Sequence, residues 1–141
     1  MRIGFTGTRE GCTDEQHARL RAEIDRLHSQ GAYAAHHGDC IGADAEFHDV
    51  CKGVGLWLVI HPPLVPRLRA FKPGNDTRVA KQYYPRNRDI VDETDVLVAC
   101  PNDGPRRPNS GTWYTIGYAE QKRKPIILIH ADGSVRRINE R

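Results

Sequence analysis

Five short apolar runs alternate with helix-like stretches along the chain, and this alternation restricts the fold more than any other feature. The runs are RIGFTG (2–7), AYAAHHG (32–38), LWLVIHP (56–62), DVLVACP (95–101) and PIILI (125–129). Their length, and the Gly and Pro residues that bound most of them, predict strands buried on both faces. Between the first two, TDEQ (13–16) has the spacing of a capping box, and Leu20, Ile24 and Leu27 recur at helical intervals up to Gly31. GADAEFHDVCKG (42–53), YPRNRDIVDET (84–94) with Pro85 in its first turn, and GTWYTIGYAEQKRK (111–124) predict three further helices. Parallel strands need crossover connections, and crossover helices cover both faces of a sheet. The expected fold is α/β: a single Rossmann-like doubly wound domain over residues 1–130, with a parallel sheet of about five strands and the first strand central. Residues 131–141 form a C-terminal tail to which the sequence assigns no element.

A chain of 141 residues is long enough for one core. Its formal charge of +3 is too small to demand a nucleic-acid partner, but it suits a local pocket for an acidic ligand. Cys12, Cys40, Cys51 and Cys100 include no CxxC pair, which predicts free thiols in a reducing compartment. No apolar run approaches the roughly 18 residues of a membrane span. The expectation is a cytoplasmic protein with no membrane partner.

In doubly wound sheets ligands bind beyond the carboxyl ends of the strands, where strand order reverses. Three polar turns fall there: TGTRE (6–10), HHGDCIGAD (36–44) and CPNDGPRRPNSGT (100–112). Glycines allow backbone amides to approach phosphate, and a following helix adds its dipole. The candidate ligand-binding residues are Gly7, Thr8, Arg9, Gly38, Asp39, Gly42, Asp44, Arg86, Ser110, Gly111, Thr112, Trp113 and Thr115. Trp113 and Tyr114 are open to two readings, packing in the core or stacking on a base or ribose.

His36, His37, Asp39, Asp44 and His48 also raise a metal reading. Adjacent residues on a strand point to opposite faces, so His36 and His37 do not readily share one ion. No metal and no cofactor is assigned. From Pro63 to Tyr84 the chain is irregular and basic, with Arg67, Arg69, Lys72, Arg78 and Lys81 among Phe71, Tyr83 and Tyr84. A loop this long is commonly functional, and cations with interleaved rings also describe a single-strand nucleic-acid groove.

With these motifs placed, the chain resembles the SLOG superfamily, the Rossmann-like group that includes the lonely-guy phosphoribohydrolases and the DprA-like DNA-processing proteins. Within it the chain is most similar to the YspA-like, YpsA-related group. The resemblance rests on GFTGTRE, HHGDCIGADAEFH, RNRDIVDETDVLVACP and SGTWYTIGYAEQKRKPIIL. It implies that Arg86, nine residues before Asp95, lies at a phosphoribosyl site, and that the chain forms a homodimer. The family's glutamates after the Gly-Thr step are replaced here by Tyr114 and Thr115. An inserted NDGPRRPNS brings Arg106 and Arg107 toward the phosphate turn.

N-glycosidic cleavage uses a carboxylate near the forming oxocarbenium, which a threonine hydroxyl replaces poorly. The leading expectation is therefore a domain that binds or senses a nucleotide or a phosphoribosyl or ADP-ribose-type derivative. An N-glycosidase or phosphoribohydrolase with a relocated carboxylate is the alternative. Asp39, Asp44, Glu46 or Glu120 would serve as that carboxylate, and Arg86, Asp39 and Asp44 form the expected catalytic set. A single-stranded DNA-processing accessory protein is the third expectation.

Overall fold

The computed structural model describes residues 1–107 and 110–140. Pro108 and Asn109 of the expected 102–110 loop, and Arg141 of the tail, lie outside the described residues. The elements run β1 (Arg2–Gly7), α1 (Asp14–Ser29), β2 (Ala34–His37), α2 (Ala43–Gly53), β3 (Trp57–Ile60), β4 (Asp76–Thr77), α3 (Tyr83–Asp92), β5 (Val96–Cys100), α4 (Gly111–Gln121), β6 (Ile126–Ile129) and β7 (Val135–Ile138).

The sheet order is β4-β3-β2-β1-β5-β6-β7, a Rossmann-like arrangement. Every neighbouring pair is parallel except β6 with β7. The expected α/β fold with β1 central is therefore present, but with seven strands in place of about five. The two extra strands come from segments without an apolar run. β4 is a two-residue edge strand within the long basic loop, and β7 is a hairpin return, VRRI, whose outward residues are charged.

The two faces of the sheet carry separate cores. Ile3, Phe5 and Val98 pack with Leu20 and Ile24 of α1 and Phe47 of α2, and the rings of Phe5 and Phe47 stack at 4.3 Å. On the other face Leu97, Ala99 and Leu128 pack with Val91 of α3 and Ile116 of α4. At Gly4 any Cβ would lie 2.6 Å from Thr94 Oγ1, so α3 closes directly over β1 only because that residue has no side chain.

The capping box at α1 forms as expected: Thr13 Oγ1 accepts from Gln16 N at 3.0 Å, and Gln16 Oε1 accepts from Thr13 N at 3.1 Å. Gln16 does more than cap. Its buried Nε2 donates to the carbonyls of Pro101 at 2.7 Å and Ile129 at 3.0 Å, which joins the carboxyl ends of β5 and β6 to the start of α1. Replacing Gln16 by Ala removes one cap and leaves two buried carbonyls without this donor. The expected cost is about 2–4 kcal/mol of unfolding free energy, measured by denaturant titration.

Candidate ligand cleft at the switch point

β1 and β5 lie side by side, with Gly7 opposite Cys100, while the chain departs from them toward opposite edges of the sheet. Their carboxyl ends open a cleft of about 640 Å³. Seven of the expected residues line it: Gly7, Thr8 and Arg9 from the β1 turn, and Ser110, Gly111, Thr112 and Trp113 from the start of α4.

The α4 end presents amides. Ser110 is the N-cap, its Oγ accepting from Trp113 N at 3.2 Å. The first backbone bond of the helix runs from Tyr114 N to Ser110 O. The amides of Gly111 and Thr112 precede that ladder, at the positive end of the helix dipole.

The β1 turn contributes differently from the expectation. Thr8 N donates to Cys100 O at 3.1 Å, and Glu10 N to Thr8 Oγ1 at 3.2 Å. Those amides hold the turn closed, and the cation offered to the cleft is the exposed Arg9, whose guanidinium stands 5.3 Å from the Tyr83 ring centre.

The second polar turn is not part of this cleft. Ala43 N, the first amide of α2, donates to Thr8 O at 2.9 Å. A Cβ on Gly42, whose φ is +91°, would collide with the backbone of Arg9. The start of α2 therefore binds the β1 turn instead of an anion.

Asp39, buried and at φ 56°, accepts from Arg69 Nε at 2.8 Å and Lys72 N at 2.9 Å. Asp44 Oδ2 accepts from Cys40 N at 3.1 Å. Thr115 is buried and its hydroxyl donates back to Gly111 O at 2.8 Å.

Arg86 is turned inward. Its Nη1 donates to Gly38 O at 2.7 Å and His61 O at 3.0 Å, and its Nε to Asn87 Oδ1 at 2.8 Å. Gly38 is glycine because a Cβ there would sit 2.5 Å from Arg86 Nη1. The guanidinium lies 4.9 Å from the Tyr83 ring centre, and the Tyr83 hydroxyl occupies the place a side chain on Gly111 would need. Tyr83 thus stands between Arg86 and the start of α4, with a hollow of only about 20 Å³ on the Arg86 side.

The histidines divide between the two faces. His37 Nδ1 accepts from Asp39 N, so its Nε2 donates to His48 Nδ1 at 2.9 Å and the His48 Nε2–H has no partner among the described residues. His36 Nδ1 meets His61 Nε2 at 2.9 Å. Burial holds His37 far below the ordinary range, His36 at about 4 and His61 at about 3, so all three are neutral at pH 7.

The long basic loop is fastened to the sheet edge. Arg69 pairs with Asp39, Lys72 with Asp49, Arg78 with Asp76 and Glu93, and Lys81 with Asp89. Most of its cations thus already face carboxylates, which disfavours a nucleic-acid groove. Of the inserted arginines, Arg107 lines the cleft, while Arg106 pairs with Glu120 and lies 5.1 Å from the Trp113 ring.

Sequence reasoning did not single out Tyr83, Asn102, Asp103 or Glu10 as site residues, yet all four line the cleft. Glu10 lies within the TGTRE turn, Asn102 and Asp103 within the CPNDGPRRPNSGT turn and Tyr83 within the basic aromatic loop, so each carried a signal in the sequence without being picked as a ligand-binding residue. A second hollow of about 710 Å³ shares Asn102, Asp103, Gly104 and Trp113 with the first.

No family model matches the sequence, and no curated protein matches it significantly. Solved structures of similar fold exist. One of them is the molybdenum cofactor binding protein from the phototrophic bacterium Rippkaea orientalis, with 19% identity and a TM-score of 0.71 over 92% of this chain and 76% of that one. That likeness bears on the architecture. No helix among the described residues is long and apolar enough to cross a membrane.

Asp44 gives this region a pH signature. Burial raises its pKa from 3.8 to about 6 against the opposing pull of Arg86. A raised folded-state pKa favours folding below the unfolded value, and that contribution is lost as pH rises through the folded value. The stability of the wild type relative to Asp44→Asn should therefore fall by about 2–3 kcal/mol between pH 4 and pH 7, measured by denaturant titration at a series of pH values.

Proposed function

We propose that the cleft between β1 and β5 binds a phosphorylated nucleotide or an ADP-ribose-type derivative. The observation that carries this reading is the juxtaposition of the Gly111 and Thr112 amides, which have no backbone acceptor among the described residues, with Arg9 and Arg107 around one open volume at the switch point. Phosphate fits the α4 end, where the dipole and the amides reinforce the two guanidinium groups. Glu10 and Asp103 line the same cleft and suit ribose hydroxyls, which donate to carboxylates. The Trp113 indole Nε1 is buried without a partner among the described residues, so an acceptor on the ligand would satisfy it. The adjoining hollow leaves room for a second moiety beyond the first phosphate.

The resemblance to the SLOG superfamily and the fold of a cofactor-binding protein agree with a small-molecule ligand. In this reading Arg86 supports the site through the backbone it holds and does not touch phosphate.

An N-glycosidic hydrolase is the second reading, and one observation favours it. Asp39, Asp44, Glu46 and Glu120 are engaged by Arg69, the Cys40 amide, the Cys12 amide and Arg106 respectively. Glu10 instead lines the cleft, accepting only a 3.3 Å contact from Asn102 Nδ2 among the bonds described. Glu10 is then the carboxylate placed to stabilise an oxocarbenium.

Calorimetry with ADP-ribose, AMP and ribose 5-phosphate should give dissociation constants below about 1 mM, with adenosine at least tenfold weaker and Arg9→Ala weakening the phosphorylated ligands about tenfold. Absence of heat from all of these at millimolar concentration would overturn the proposal. Release of free base from AMP, lost in Glu10→Gln, would select the hydrolytic reading over binding alone.

A further inference from the structure

A second cluster lies on the face of the sheet opposite His37 and His48, outside the cleft. His36 projects from β2, His61 follows β3, and Glu93 caps the end of α3. One ligand atom from each lies within 4.8 Å of the others. Three elements that are distant in sequence thus bring two imidazoles and a carboxylate to one point. Both histidines are only 3% exposed, whereas Glu93 stays partly open to solvent with its side chain 33% exposed.

Arg78 occupies the mouth of the cluster. Its Nη2 stands 2.9 Å from Glu93 Oε1 and its Nε 3.1 Å from Asp76 Oδ2. A guanidinium bridging two carboxylates beside two imidazoles fills a slot for positive charge. The chemistry of the set, nitrogen donors with carboxylate oxygen, is that of zinc and similar borderline divalent ions.

We infer that His36, His61 and Glu93 form a binding site for a zinc-type divalent cation, with Arg78 as the resident positive charge that the ion displaces. Two nitrogens on a tetrahedral zinc, at bond lengths of about 2.0–2.1 Å, stand roughly 3.4 Å apart. The His36–His61 pair at 2.9 Å needs an opening of roughly half an ångström from that geometry. The proton between the two nitrogens moves to the far nitrogen of its own ring, which leaves both facing atoms as donors. Asp76, released when Arg78 swings out, becomes free to accept a hydrogen bond from water.

The ion would tie β2, the end of β3 and α3 together. Because the His61 carbonyl accepts from Arg86, it would stiffen the support behind the cleft without entering it. The ligand proposed for the cleft plays no part in this inference.

The test is titration of the full chain with Co²⁺, read by visible absorption, and with Zn²⁺, read by calorimetry. The wild type should take up one equivalent with tetrahedral-type cobalt bands and a micromolar or tighter zinc constant. His36→Asn and Glu93→Gln should each weaken zinc at least tenfold, whereas Arg78→Ala should tighten it. Glu93→Gln and Arg78→Ala change partly exposed side chains, so they keep the test decisive should the histidine variant fail to fold. No uptake by either the wild type or Arg78→Ala would overturn the inference. So would zinc binding that is unchanged in Glu93→Gln and unimproved in Arg78→Ala, since the ion would then sit at other histidines or cysteines.

Discussion

Everything in this molecule depends on the parallel pairing of β1 with β5. The two strands are adjacent in space but lie on opposite arms of the topology: from β1 the chain winds outward through β2, β3 and β4, then returns to place β5 on the other side. The connections leaving the two carboxyl ends therefore diverge, and no crossover fills the space above them. The cleft is a consequence of that divergence. Gln16 secures it from one side by holding Pro101 and Ile129, and the Thr8 carbonyl secures it from the other by taking the first amide of α2.

The second determinant is a buried cation that faces protein instead of ligand. Arg86 sits below Tyr83 with its donors on two carbonyls and an amide oxygen. Removing a buried charge from water is costly unless its hydrogen bonds are replaced. Here the turn after β2, the end of β3 and Asn87 supply them. The cost is offset by a fixed geometry: Gly38 and Asp44 are held around the guanidinium, and Tyr83 is held above it. Tyr83 in turn forms the wall of the cleft facing Gly111. The electrostatics of this region are thus divided between Arg86, which organises backbone, and Arg9 with Arg107, which face the open volume.

Much of the fold was legible in the sequence because buried parallel strands and capped amphipathic helices leave strong local signals. The TDEQ capping box and the LWLVI and VLVAC runs are examples. β4 and β7 were not legible. β4 is an edge strand held by Arg78, Asp76 and the carbonyls of β3, and β7 is a charged hairpin return anchored by Arg137 on Glu23. Their stability comes from partners that local pattern does not reveal. Along the cleft, the Gly-Thr step was legible from its turn chemistry as the start of α4. The placing of Arg86 and Asp39 toward an anion was not what the structure shows, because spacing from a strand says nothing about which way a long side chain folds. The loss of HHGDCIGAD from the cleft has the same origin: its glycines serve close contacts with Arg9 and Arg86, which look in sequence like a phosphate turn.

The most direct test of the central claim is to follow backbone amide and indole resonances by ¹H–¹⁵N correlation spectroscopy while ADP-ribose is added. If the cleft between β1 and β5 is the binding site, the largest perturbations fall on Thr8 to Glu10, on Gly111 to Trp113 and on the Trp113 indole N–H, and the amides from Gly38 to Asp44 move little. Perturbations centred on Gly38 to Asp44 and Arg86, with Gly111 and Thr112 unmoved, would contradict the account.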